Sequence, residues 1–322
     1  MTHWHDCRTL GITGGRGSHG GHPFDRLPYA AEAALPPIVW ELSQQSFGMH
    51  VDFRSDAVEL QARCMLRQAP LPEHLYIKYL DLYSRDTCGH WRWAASNRYG
   101  FFPSGVTPLV EGLTPGEWRT WRLYLPLTYS VGNLEIGVPS GAHVEPIASD
   151  ETLPIVIYGT SIVHGCAHVI RPGMAWPSIV GRHLDRTVVN LGFSGSARME
   201  FALADFIADQ EAGAYVIDPL ANMGIEQVES HAELFLRRLN ERRQATPILL
   251  MDDRTHANAW LFPDYYPPQI AKQRSFEKIS NTLKSEGMPI SYLSGADLIG
   301  DDSEGTTDGS HPSDLGAMRY AH

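Results

Sequence analysis

The sequence predicts two domains, an all-β sandwich followed by an α/β domain with a parallel sheet. Three observations carry this. The chain has 322 residues, enough for two hydrophobic cores. Between residues 38 and 146 short apolar runs follow one another with turn signals between them, as in a sandwich. After Pro146 the rhythm becomes strand then helix, which means right-handed βαβ units and a sheet covered on both faces.

Residues 1–26 are rich in Gly and His and show no hydrophobic period, so they are expected to form a flexible leader. His3, His5, His19 and His22 invite a metal-site reading, but metal sites need ligands held in fixed geometry, and a polar arm is the simpler expectation. The sandwich should span residues 27–146, with strands at 38–42, 48–53, 57–65, 75–83, 90–94, 118–125 and 134–138. Alternation is clearest where Val58, Leu60, Ala62 and Cys64 face one side and Glu59, Gln61 and Arg63 the other. The aromatic residues Trp91, Trp93, Tyr99, Phe101, Phe102, Trp118 and Trp121 suit stacking on sugar faces, though sandwich core and strand-pair packing explains them more simply.

A linker is expected at 141–153, and the second domain at 153–322. Its strands should lie at 154–158, 187–191, 214–218, 247–252 and 289–293, with helices at 175–184, 199–210, 226–243 and 269–286.

The formal net charge of -11, with no basic stripe, argues against nucleic acid or an anionic membrane as partner. No apolar stretch approaches the length of a membrane span, and the first residues lack the basic and apolar regions of a signal peptide, so a cytoplasmic location is expected. Cys7, Cys64, Cys88 and Cys166 have no CxxC spacing and fit free thiols.

The chemistry centres on the β-branched run ending in Tyr158-Gly159-Thr160-Ser161, a serine on a turn at the carboxyl end of a strand, where open α/β sheets place ligands. A serine needs a base, and the base needs a third group to fix its tautomer. In Asp308-Gly309-Ser310-His311 the carboxylate is able to accept from one ring nitrogen while the other faces Ser161; the same stretch also reads as a turn before a terminal helix capped near Ser313. Two further strand ends offer oxyanion donors, a backbone N–H in Gly192-Phe193-Ser194-Gly195 and the side-chain amide of Asn222.

These motifs resemble those of the SGNH hydrolases, the GDSL-type esterases and lipases. Gly159-Thr160-Ser161, Gly195, Asn222 and Asp308-x-x-His311 match the family's four blocks in order. The resemblance implies a flavodoxin-like three-layer α/β/α fold and a triad of Ser161, Asp308 and His311. It also implies an oxyanion hole of the Ser161 and Gly195 N–H groups with Asn222. Thr160 stands in place of the usual Asp, and Ala221 where a proline often precedes the asparagine. The stretches Arg171-Pro172-Gly173-Met174-Ala175, Asn190 to Gly195 and Asp253-Arg254-Thr255 are similar to a bacterial subgroup with an N-terminal, jelly-roll-like sandwich bearing a G-x-D-L-Y signature. Here Tyr79-Leu80-Asp81-Leu82-Tyr83 is similar, with Tyr for Gly.

His164-Gly165-Cys166-Ala167-His168 reads as a loop rimming the active site rather than a metal site, since the glycine breaks helical placement and no carboxylate lies nearby. Asp252 and Asp253, adjacent on a strand, read as a polar strand end. Trp260, Phe262, Tyr265 and Tyr266 fit an acyl pocket or a packed surface loop equally well. The expected function is a serine esterase acting on small-molecule or carbohydrate esters, without metal or cofactor. An acyltransferase using the same triad and a non-catalytic carbohydrate-binding protein are the alternatives.

Overall fold

The computed structural model describes residues 1–15, 20–67, 80–97, 105–147, 152–165, 168–254, 256–262, 264 and 266–322. They form two compact units. One comprises Met1–Tyr29, Gln44–Glu151 and Ile170–Gly173, the other Ala30–Ser43, Thr152–Val169 and Met174–His322. The division therefore departs from boundaries at 27, 146 and 153, because two short segments pack with the unit to which they are not contiguous.

The first unit is a sandwich of antiparallel sheets. Its strands are β1 (Thr2–Asp6), β2 (Ile12–Thr13), β3 (His50–Ser55), β4 (Leu60–Leu66), β5 (Asp81–Arg85), β6 (Trp91–Ser96), β7 (Val106–Val110), β8 (Arg119–Tyr124), β9 (Val131–Pro139) and β10 (Val144–Pro146). One sheet runs β1-β9-β4-β7, the other β10-β3-β8-β5-β6 with β2 also on β3. Alternate residues of both sheets, among them Leu60, Ala62, Cys64, Val51, Phe53 and Ile136, close a single core.

Residues 1–26 are not a free leader where they are described. β1 pairs with β9 from Thr2↔Pro139 to Asp6↔Glu135, a short helix α1 (Cys7–Leu10) follows, and Cys7, Leu10 and Phe24 are buried in the sandwich core. Residues 38–42, expected as a strand, instead lie in helix α2 (Pro37–Ser43) of the second unit; Pro37 sits at its start, and Val39, Trp40, Leu42 and Ser43 are buried. The aromatic expectation also divides. Trp121 is core, whereas Trp93 and Trp118 are 52% and 40% exposed. Tyr99, Phe101, Phe102 and the expected strand residues 75–79 lie outside the described residues.

The Asp81-Leu82-Tyr83 stretch has a specific task. The buried Asp81 carboxylate accepts from Arg171 Nη1 (2.8 Å), the Gly173 N–H (2.9 Å) and Trp93 Nε1 (2.9 Å), and Arg171 also donates to the Tyr83 hydroxyl at 2.5 Å. Burial raises the Asp81 pKa against the opposing pull of these partners, Arg171 first. Segment 170–173 thus belongs to the sandwich because it supplies the counter-charge to a buried carboxylate.

The second unit holds the parallel strands β11 (Ile155–Gly159), β12 (Val188–Gly192), β13 (Ala214–Asp218), β14 (Ile248–Met251) and β15 (Ile290–Leu293), in spatial order β12-β11-β13-β14-β15. Its other helices are α3 (Ser161–His164), α4 (Trp176–His183), α5 (Phe201–Ala208), α6 (Ile225–Arg242), α7 (Tyr266–Ser285) and α8 (Asp314–Ala321). Right-handed crossovers reverse direction at β11, which puts α4 with α8 on one face and α5, α6 and α7 on the other, in agreement with the helix pairs that pack together. α6 shows why such helices form: Val228, Ala232, Phe235, Leu236 and Leu239 are buried along one stripe. α8 is capped by Ser313, whose hydroxyl accepts from the Gly316 N–H at 3.3 Å.

β11, β12 and β13 end level, with Gly159 paired to Gly192 on one side and Asp218 on the other. A Cβ on Gly159 would lie 2.4 Å from Val163 Cγ2 and 2.5 Å from the Asp218 carbonyl oxygen, so only glycine lets α3 follow so closely. Asp218 is fully buried and accepts from the Tyr320 hydroxyl at 3.0 Å; burial pushes its pKa from 3.8 up to about 7.

Two outcomes are expected. Gly159→Ala should lower unfolding stability by about 1–3 kcal/mol through overpacking, read as a reduced urea midpoint at unchanged slope. For Asp218, the raised folded pKa means that the proton binds the native chain more tightly. Its contribution is full below about pH 4 and is lost as pH rises through about 7. The stability of wild type relative to Asp218→Asn should therefore decline from pH 5 to pH 8 in urea titrations, and a constant difference would contradict this.

Candidate active site

Ser161 opens the single-turn helix α3 immediately after β11. Thr160 caps that turn by accepting from the Ile162 N–H at 3.4 Å, and Gly165 closes it at φ +80° with its N–H on the Ser161 carbonyl at 2.8 Å. The serine is held on backbone bonded at both ends.

Ser161 Oγ lies 2.9 Å from His311 Nε2, and His311 Nδ1 lies 2.7 Å from Asp308 Oδ2. An ionised carboxylate only accepts, so Nδ1 carries the ring proton and Nε2 faces the hydroxyl as an acceptor. Asp308 Oδ1 also accepts from the backbone N–H groups of Ser310 (2.9 Å) and His311 (2.8 Å). Burial pushes the Asp308 pKa up, but these N–H groups and the His311 ring outweigh it and hold the carboxyl well below its ordinary range. The loop is pinned by a bridge between Thr306 and Pro312 and by the Thr307 N–H on the His311 carbonyl at 2.9 Å.

The other two expected residues leave the neighbouring strand ends. The Phe193 N–H donates to the Gly159 carbonyl at 2.8 Å, which keeps the chain after β12 beside the serine turn, and Gly195 adopts φ +69°. Asn222 ends a tight turn, Leu220–Asn222, after β13, and its Nδ2 donates to the Ser196 carbonyl at 2.6 Å. Arg198 Nε donates to the Asn222 carbonyl at 3.3 Å. The structure thus joins Ser161, His311 and Asp308 in one hydrogen-bonded chain, and joins the Gly195 and Asn222 loops to each other. A primary amide carries two hydrogens, so the Ser196 bond leaves Asn222 a second donor.

A polar cluster beneath the site goes beyond a strand end at Asp252 and Asp253. Arg254, 2% exposed, donates to Asp253, to the Ser310 carbonyl at 2.8 Å and to the Ser310 hydroxyl. Lys272 Nζ lies 2.7 Å from Asp253 Oδ2 and donates to the Leu220 carbonyl at 2.7 Å. Burial would raise the Asp253 pKa, but the charges of Arg254 and Lys272 overcome it and hold it low. One cluster therefore holds both the Asp308–His311 loop and the Asn222 turn. Sequence alone offered only the Asp253-Arg254 dipeptide as a signal for it.

A cavity of about 500 Å³ opens beside Asp308 and Ser310, lined also by Met223, Ile225, His256 and Lys272. Trp260 and Phe262 are exposed at 72% and 43%, and Tyr265 with the Tyr266 side chain lies outside the described residues, as does Cys166. His164 is buried on α3, and the half-buried His168 ring stacks on His311. Among the described residues no three His, Cys, Asp or Glu side chains group as metal ligands, and no helix is long and apolar enough to cross a membrane.

Residues 2–144 match the family described as the N-terminus of SGNH-hydrolase-type esterases. No curated protein matches the chain by sequence. Among solved structures, a GDSL-like lipase from Bacteroides ovatus is similar at 28% identity and TM-score 0.91, over 99% of this chain and 95% of that one. The salicylyl-acyltransferase SsfX3 of a tetracycline biosynthetic pathway shares the fold at 20% identity and TM-score 0.74, over 92% and 86%. A family two carbohydrate esterase from Clostridium thermocellum, in complex with cellohexaose, shares it at 12% and 0.59, over 85% and 90%. Residues 152–322 match the family described as GDSL-like lipase/acylhydrolase, and the chain belongs to it.

Proposed function

We propose that the protein is a serine esterase that cleaves carboxylic esters through an acyl-enzyme on Ser161. The observation that carries this reading is the position of His311, 2.9 Å from the Ser161 hydroxyl and 2.7 Å from Asp308. His311 Nε2 takes the hydroxyl proton as Oγ attacks the ester carbonyl. The oxyanion is received by the N–H groups of Ser161 and Gly195 and by the Asn222 amide. His311 then returns the proton to the leaving alcohol, the tetrahedral adduct collapses to the acyl-enzyme, and a water deprotonated by the same nitrogen releases the acid. Asp308 stays ionised throughout, which its retained low pKa favours.

Acetylated sugars are the first substrate class to test, because one protein of similar fold is a carbohydrate esterase. The acceptor need not be water. Another protein of this fold is an acyltransferase, and an identical serine cycle serves transfer when an alcohol replaces water in the second half.

With p-nitrophenyl acetate, Ser161→Ala should lower kcat by at least about 10³-fold while the fold is retained. Equal turnover by wild type and variant would refute the nucleophile. Added alcohol separates the two acceptors: free acetate as the product supports hydrolysis, and accumulation of a new ester with faster nitrophenol release assigns transfer.

A further inference from the structure

Two in-plane hydrogen bonds hold the His311 ring, one at each nitrogen, and neither bears on its face. One of them also breaks in every cycle, when Ser161 Oγ becomes part of an ester. From that moment the imidazole is held in its plane by Asp308 alone, yet it must still present Nε2 first to the leaving alcohol and then to water.

The ring of His168 covers that face. Its centroid lies 3.8 Å from the centroid of His311 and the planes are 15° apart, so the two imidazoles are stacked face to face. His168 in turn forms one wall of a small cleft whose other walls include Ile162, Val169, Ala175, Trp176, Pro312 and Ala317. Ile162 follows the serine and Pro312 follows His311, so the cleft is built from the neighbours of both partners. Trp176 is itself packed on Tyr320 of α8, with centroids 5.2 Å apart. Such a backing does not depend on which species occupies Ser161.

We propose that His168 is a positioning residue for the acyl-transfer cycle: its flat ring braces the open face of His311 and keeps Nε2 on line after the Ser161 bond is lost. The proposal rests on the reading of Ser161 and His311 as nucleophile and base. Both halves of the cycle pass through His311, so kcat reports the brace whichever half is slow. Displacement of a reacting group by about 1 Å costs on the order of 10²-fold in rate, which sets the scale of the effect.

The test compares His168→Phe, which keeps a flat ring, with His168→Leu, which keeps apolar bulk without one, using p-nitrophenyl acetate and Ser161→Ala as control. His168→Leu should lower kcat by about 10–100-fold with KM within about twofold of wild type, and His168→Phe should restore kcat to within about threefold. Thermal unfolding of each variant confirms that both are folded. Wild-type kcat in His168→Leu, or equal loss in the two variants, would overturn the brace while an inactive Ser161→Ala leaves the esterase reading intact. Wild-type turnover by Ser161→Ala would overturn both.

Discussion

The arrangement of the second unit depends on how closely the chain passes itself at Gly159. With Gly192 on one side and Asp218 on the other, three parallel strands end level, and any side chain at Gly159 would drive into Val163 and the Asp218 carbonyl. Gly192 is under the same restriction, since a Cβ there would lie 2.3 Å from the His164 nitrogen. The reversal of strand order at β11 opens the crevice, and the missing side chains let the serine turn sit in it. The position of Ser161 is thereby set by backbone geometry that packing enforces.

Level strand ends place loops near one another but do not hold them. That is done by the buried cluster of Asp253, Arg254 and Lys272, which reaches Ser310 on one side and Leu220 on the other. Burying charge is costly unless it is matched, and here the Asp253 carboxylate is bracketed by the buried Arg254 and the partly buried Lys272, both of which also donate to loop oxygens. The loop of Asp308 and His311 and the turn of Asn222 share one anchor. A disturbance of that anchor reaches both the Ser161–His311–Asp308 hydrogen-bonded chain and the Asn222 turn.

Much of this was legible in the chain itself. The five parallel strands and the four helices between them are written in apolar runs and helical spacing, and the serine, glycine and asparagine blocks follow strand ends in order, with the aspartate–histidine block in the loop before the last helix. What escaped depends on partners remote in sequence. β1 has only half-buried or exposed residues, so Thr2–Asp6 carries no buried face to read, and it is a strand because it pairs with β9. Residues 38–42 are apolar enough for a strand, and their helical form follows from Pro37 and from packing in the second unit. Arg254 meets Ser310 across 56 positions. The stack of His168 on His311 joins two loops with no common periodicity, and it is visible only in space.

The exchange of segments between the units bears on how separable this protein is. Asp81 is a carboxylate with no exposed side-chain surface, and its cation arrives from position 171, well past the point where the sequence suggests a domain boundary. A fragment ending near residue 146 would keep the carboxylate and lose its cation. The complementary fragment would keep a guanidinium with nothing to bind and would lack α2. Each unit is assembled from segments that are not contiguous in the sequence. Evolutionary shuffling of either part alone would have to replace a buried ion pair as well as a linker.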